Sequence, residues 1–208
     1  MSGKSNSIKK LAGALFTGDT TTALEAANKA IEEKRSVEKI VVKGILKAWV
    51  DFGEWYDRDA INALKAYSAV YIASDKVLKF LDSKVITPPD PPFSVLVTTV
   101  KGEGHIVMRD VIKLLLKSKG LKVLSAKKWA TPEEVSQFLL DRSLKFVVLS
   151  CSQDETKAAL DTLVKGVRAA RPDIKIVAGG HFAGLSGADV ILQDPTKLYD
   201  TLMGLQGA

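Results

Sequence analysis

A proline-rich segment at residues 86–92, written ITPPDPP, limits what this chain can fold into more than any other feature. It holds four of the seven prolines. Because proline lacks a backbone N–H and has a fixed φ, the segment can be neither a helix nor a central strand. It predicts a stiff, extended linker. We therefore expect a first domain at residues 1–85, the linker at 86–93 and a second domain at 94–208.

The half of the chain before the linker has apolar residues at helical spacing. The pattern predicts helices over residues 8–17 and 20–33, a third helix capped by Ser36, and a long helix over 57–82. Residues 52–56, written FGEWY, are expected to interrupt the third helix. Several helices joined by short connections indicate a small helical bundle.

After the linker, short apolar runs alternate with helical patterns. Such alternation predicts parallel strands joined by right-handed crossovers, and the continuously apolar runs predict a sheet covered on both faces. We therefore expect a helical bundle followed by a doubly wound, flavodoxin- or Rossmann-like α/β domain with a five-stranded parallel sheet in the order 2-1-3-4-5. The predicted strands are Ser94–Thr99, 122–125, 145–150, 174–178 and 189–192, and the predicted helices are 106–119, one that begins at Thr131, 155–170 and 195–205.

Composition and charge argue against several classes of protein. The chain has 208 residues, a formal net charge of +6 and a single cysteine. It has no apolar run near the roughly 20 residues that span a bilayer, and its N-terminus lacks the apolar core of a secretory signal. Its lysines are not interleaved with the aromatic residues that bind nucleic acid. We therefore expect a cytoplasmic protein that binds neither membrane nor nucleic acid.

Common catalytic motifs are missing from the sequence. It contains no P-loop, no CxxC, no HExxH and no GxSxG pattern. Two histidines and one cysteine cannot form a typical structural zinc site. The sequence thus predicts no catalytic residues.

Three loops are predicted to meet at the carboxyl edge of the sheet, where open α/β folds bind ligands. They follow the first, third and fourth strands and carry residues 102–105, 150–152 and 179–181. Glycines there would let a ligand approach the backbone, and serine hydroxyls can donate and accept hydrogen bonds. In the first loop, Glu103 stands two residues before His105, where a carboxylate can orient the imidazole towards a metal.

The spacing between these loops carries a family resemblance. Residues 103–108, written EGHIVM, are followed by 41 residues, by Ser150-Cys151-Ser152, by 26 residues and by Gly179-Gly180. This arrangement resembles the D-x-H-x-x-G, S-x-L and GG pattern of the cobalamin-binding domains of methionine synthase and of corrinoid proteins from methanogen- and acetogen-type methyltransferase systems. Further similarities to the family are Gly187-Ala188-Asp189 and, in the helical half, Gly18-Asp19 and Phe52-Gly53-Glu54.

The resemblance implies that the cofactor is cobalamin or a related corrinoid. His105 would be the lower axial ligand of cobalt, and therefore the metal-binding residue, with Glu103 as its hydrogen-bond partner. The dimethylbenzimidazole tail would pass Ser150 towards Gly179-Gly180. Three residues depart from the pattern: Glu103 replaces Asp, Met108 replaces Gly and Ser152 replaces Leu. The cofactor-binding residues implied in this way are Glu103, Gly104, His105, Met108, Ser150, Ser152, Gly179 and Gly180.

The resemblance also implies a function. Such a protein carries a methyl group from a substrate-specific methyltransferase to a second methyltransferase, and it does not catalyse the transfer alone. The two enzymes would be its partners, and the bundle would move about the proline-rich linker to admit each of them. An alternative stays open: a sensory or regulatory protein on the same scaffold, which binds cobalamin or haem or has lost its ligand.

Overall fold

The structure, a computed structural model, describes residues 7–104, 106–126, 129–185 and 187–207. The chain divides into two compact units between Ile86 and Thr87. Residues 83–93, which span this division, contain neither helix nor strand. None of the helices formed by the described residues combines the length and the apolar character needed to cross a membrane.

In the first unit, capping side chains fix the starts of several helices. The Asp19 carboxylate accepts a hydrogen bond from the Thr22 N–H, and Ser36 and Asp59 cap later helices in the same way. The predicted helical bundle is confirmed. Its elements are α1 Ser7–Phe16, α2 Thr20–Glu32, α3 Val37–Ile40, a π-helical segment Val41–Leu46, α4 Lys47–Arg58 and α5 Ala60–Asp82.

The prediction that residues 52–56 interrupt a helix is wrong, because α4 continues through them. Phe52 and Trp55 lie three residues apart on one face of α4, where they pack with Tyr67. The Phe52 and Trp55 rings meet edge to face with centroids 5.7 Å apart. A glycine inside a helix, here Gly53, costs about 1 kcal/mol relative to alanine, and this aromatic packing outweighs that cost.

The second unit is built on a parallel sheet, to which the described residues contribute five strands. The elements of this unit are β1 Ser94–Thr99, α6 Ile106–Ser118, β2 Lys122–Leu124, α7 Pro132–Phe138, β3 Leu144–Ser150, α8 Lys157–Ala170, β4 Lys175–Gly179, β5 Val190–Ile191 and α9 Leu198–Gln206. The strand order is β2-β1-β3-β4-β5, and every pairing is parallel. The predicted fold class and strand order are therefore confirmed.

Helices cover both faces of this sheet. Helices α6 and α9 pack on the face that holds Val97 and Val148. Helices α7 and α8 pack on the opposite face, which holds Leu96 and Val147. Because side chains alternate along a strand, β1 and β3 contribute to both cores, and every residue of β1 is buried. This explains why the strands are written as uninterrupted apolar runs.

Candidate functional site

The loop after β1 contains a buried carboxylate. The chain turns after Val100, where the Glu103 N–H donates to the Val100 carbonyl at 3.1 Å and Gly102 adopts a φ of +92°. The turn leaves Glu103 only 1% exposed, whereas Gly104 is exposed. His105, the predicted metal ligand, lies outside the described residues.

Two hydrogen bonds join the loop after β1 to the loop after β3. The Glu103 carboxylate accepts from the Ser152 N–H at 2.6 Å. In the opposite direction, the Gly104 N–H donates to the side-chain oxygen of Gln153 at 2.9 Å. Glu103 and Ser152, both predicted as cofactor-binding residues, are therefore in direct contact, and the longer side chain of glutamate reaches the neighbouring loop.

The loop after β3 is bound in turn to the loop after β4. The Cys151 N–H donates to the Gly179 carbonyl at 2.9 Å, and the Cys151 carbonyl accepts from the Phe182 N–H at 3.1 Å. A Cβ on Gly180, whose φ is +100°, would overlap the Cys151 carbonyl oxygen, and one on Gly179 would lie 2.8 Å from the Leu192 carbonyl oxygen. The prediction that Gly179 and Gly180 bind the cofactor stays a prediction. Their missing side chains allow the backbones of neighbouring loops to pack closely.

A buried hydroxyl lies at the centre of the carboxyl edge. Thr99, Ser150 and Gly179 are in register on β1, β3 and β4. Ser150 is 4% exposed and, by strand alternation, lies on the face covered by α6 and α9. Within the described ranges, its hydroxyl has no hydrogen-bond partner. A buried polar group left unpaired is costly and rare in proteins, so this hydroxyl marks a place where a ligand would supply the missing partner.

Met108 occupies space on the same face of the sheet. It stands near the start of α6, is partly buried and packs against the core that contains Phe93 and Val97. The family pattern has glycine at this position, so the thioether fills room that glycine leaves open. Methionine is unbranched and adapts readily to irregular space. We therefore expect Met108 to repack when a ligand enters. With the buried hydroxyl of Ser150 on the same face, the residues here fit a cofactor with a polar tail.

Two other chemically distinctive residues of these loops serve the structure. Cys151 is fully buried, with its sulfur 3.3 Å from the Thr156 hydroxyl. Burial, with the nearby Glu103 carboxylate, raises the pKa of the Cys151 thiol, so the thiol stays protonated and unreactive. His181 is exposed, and its ring packs edge to face against Phe182 with centroids 5.0 Å apart.

Gln153 and the role of Asp189 were not found from the sequence. Gln153 comes directly after Ser150-Cys151-Ser152, and no sequence pattern marks it. The Asp189 carboxylate, within the GAD triplet, accepts from the Ile176 N–H and pairs with Arg168, each at 2.6 Å. Burial opposes ionisation of Asp189, but these two partners hold its pKa below the ordinary value. Asp189 therefore fixes the approach to β5.

Known families match both units of the chain. A family model described as a B12 binding domain matches residues 93–205, and a second model with the same description matches residues 7–64. No curated protein matches the chain.

Solved structures share the fold over nearly the whole chain. The monomethylamine corrinoid protein of Methanosarcina barkeri is 13% identical with a TM-score of 0.75, over 94% of this chain and 96% of that one. A cobalamin-binding protein from Desulfitobacterium hafniense DCB-2 is 14% identical with a TM-score of 0.50, over 95% and 97%. The methanol:cobalamin methyltransferase complex of Methanosarcina barkeri is 17% identical with a TM-score of 0.51, over 97% and 81%.

These matches confirm the resemblance that the loop spacing predicted. They also confirm the predicted cofactor, a cobalamin-type corrinoid. Because the first match covers more than half of the chain, the chain belongs to the B12 binding domain family.

Proposed function

We propose that this chain is the corrinoid-carrying protein of a methyltransferase system, which accepts a methyl group from one methyltransferase and delivers it to another. The family match supports the cofactor. The shared fold with a monomethylamine corrinoid protein and with a methanol:cobalamin methyltransferase complex supports the system. The observation that carries the proposal is the buried hydroxyl of Ser150, which has no hydrogen-bond partner among the described residues and belongs to the motif that, in the family pattern, lies along the tail of the cofactor.

The residues of the chain would hold and orient the corrinoid. Ser150, which is buried at the carboxyl edge of the sheet, would hydrogen-bond the corrinoid tail. His105 would bind the cobalt, and Glu103 would set which imidazole nitrogen carries the proton. When bound, the corrinoid supplies a cobalt centre that takes up and gives away a methyl group.

The helical unit presents exposed apolar side chains. Ile61 is 71% exposed and Leu64, one turn later on α5, is 58% exposed. Apolar side chains grouped on a surface mark interaction sites. Residues 83–93 would act as the hinge that lets this unit move aside for each methyltransferase.

Limited trypsin cleavage tests the hinge. Lys84 precedes the proline-rich segment, and residues 85–100 contain no lysine or arginine. We expect cleavage after Lys84 to slow when hydroxocobalamin is added, because a bound corrinoid would restrict the movement of the hinge. Equal cleavage rates with and without the corrinoid would contradict the hinge and leave the cofactor assignment unaffected.

Retention of a corrinoid tests the function itself. The purified protein is mixed with hydroxocobalamin and desalted, and its visible spectrum is recorded. We expect a protein-bound corrinoid spectrum whose shape changes in His105→Ala. A wild-type protein that retains no corrinoid would overturn the proposal. Haemin is tested in parallel, because selective retention of haemin would favour the sensory alternative.

A further inference from the structure

The two hydrogen bonds between the loops after β1 and β3 form a reciprocal pair. Neighbouring residues on one loop, Glu103 and Gly104, contact neighbouring residues on the other, Ser152 and Gln153. In each bond, a backbone N–H of one loop donates to a side-chain oxygen of the other loop. Each loop thus supplies one side-chain acceptor and one backbone donor to the other.

This pair fixes a residue that would otherwise be free to move. Gly104 is exposed and, as a glycine, has the widest choice of backbone conformations. Its N–H is held by Gln153, and its carbonyl accepts from the Ile106 N–H at 3.0 Å, at the start of α6. Both backbone polar groups of Gly104, the residue immediately before His105, are therefore engaged.

The side chain of Gln153 extends from a backbone that is itself anchored. The Gln153 carbonyl accepts from the Thr156 hydroxyl at 2.8 Å and from the Thr156 N–H at 3.1 Å. Thr156 is 4% exposed. Two residues earlier, Cys151 is bound to the loop after β4 through its N–H and its carbonyl. The side-chain oxygen that accepts from the Gly104 N–H therefore extends from an anchored backbone.

We propose that Gln153 is a positioning residue for the cobalt ligand: its side-chain oxygen, acting with Glu103, fixes the backbone immediately before His105. The inference rests on the proposed function, because His105 needs a fixed position only if it binds the metal. The effect of Gln153 would be on how completely the His105 imidazole binds the cobalt.

Three variants separate this function from general stability. Gln153→Met keeps the length of the side chain and removes the acceptor. Gln153→Glu keeps an acceptor oxygen at the same distance from the backbone. Gln137→Met, at an exposed position on α7, is the matched control.

The first measurement uses the protein without cofactor. Amide hydrogen exchange, followed residue by residue by NMR, reports whether the Gly104 N–H is bonded. We expect roughly tenfold faster exchange in Gln153→Met, as the loss of one hydrogen bond implies, and wild-type exchange in Gln153→Glu and Gln137→Met. Unchanged exchange of Gly104 in Gln153→Met would overturn the inference. The same spectra show whether each variant is folded.

The second measurement uses the protein loaded with cobalamin and reduced to the cobalt(II) form. An axial imidazole nitrogen splits the electron paramagnetic resonance lines, and the splitting changes from a triplet to a doublet when histidine is labelled with ¹⁵N. We expect this signature in the wild-type protein, a smaller fraction of it in Gln153→Met and its recovery in Gln153→Glu. If the wild-type protein retains no cobalamin, the proposed function fails. If wild type and Gln153→Met show equal splitting, only the present inference fails.

Discussion

Removing the Ser150 hydroxyl should affect stability and cofactor binding in opposite directions. In Ser150→Ala the cofactor-free protein loses a buried hydroxyl that has no partner within the described residues. Leaving such a group unpaired costs about 1–3 kcal/mol. Part of this gain is offset by lost van der Waals contacts of the oxygen. We therefore expect the variant to be more stable than wild type by about 1 kcal/mol, which corresponds to a rise in Tm of about 3 °C.

Cofactor binding should weaken in the same variant. The corrinoid tail would lose one hydrogen bond with a net contribution of about 0.5–1.5 kcal/mol, so the dissociation constant should rise by up to roughly tenfold. The two effects are measured separately, by urea unfolding of the cofactor-free protein and by titration with hydroxocobalamin. Higher stability of the cofactor-free protein together with weaker cobalamin binding distinguishes a ligand-binding hydroxyl from a structural one.

A second buried serine of the same sheet provides the control. The Ser94 and Ser143 hydroxyls lie 2.6 Å apart, and Ser94 is fully buried at the opposite end of β1. Ser94→Ala leaves Ser143 without this partner, so we expect a loss of about 1 kcal/mol in stability and unchanged cobalamin affinity. If Ser150→Ala is destabilised as much as Ser94→Ala, the Ser150 hydroxyl has a partner in the protein and the reasoning is refuted.

Three further predictions concern the loops and the opposite edge of the sheet. Gly180→Ala should lower the free energy of unfolding by about 2–4 kcal/mol, because its Cβ would overlap the Cys151 carbonyl oxygen at a φ of +100°; a loss below 0.5 kcal/mol in urea unfolding would contradict this. The Cys151 thiol, whose pKa is raised by burial, should react with a thiol reagent at pH 8 only after unfolding, and rapid labelling of the native protein would refute its burial. The Ser143 hydroxyl and then Lys122 lower the pKa of Asp141 to about 2, below the ordinary 3.8, so its contribution to stability is present above about pH 4 and is lost as the pH falls to 2. The stability difference between wild type and Asp141→Asn should therefore shrink over that range in urea unfolding, and a constant difference would show that Asp141 gains nothing from ionisation.

The α/β unit could be predicted closely because its pattern is local. The run at Ser94–Thr99 is apolar on both faces, and the structure gives β1 the same bounds. The course of α4 could not be predicted in this way. Gly53 and the cap-like residues around it resemble a helix break, and the opposing evidence, the contact of Phe52 and Trp55 with Tyr67, exists only in the folded bundle.

The candidate site could also be predicted only in part. The convergence of three loops follows from strand order, which alternation predicts. The bonds from Glu103 to Ser152 and from Gly104 to Gln153 join residues 49 apart, and they depend on how far two side chains reach. The spacing of residues in the sequence does not reveal how far a side chain reaches, so Gln153 could not be predicted as part of the site.

The packing of Gly179 and Gly180 changes what a double glycine at this place in a related sequence indicates. Both positions are closed to larger residues by backbone carbonyls of the protein itself. A descendant of this fold that had abandoned its cofactor would still need both glycines to close its loops. A double glycine in a related sequence therefore indicates that these loops can close, and it does not by itself indicate that a corrinoid is bound.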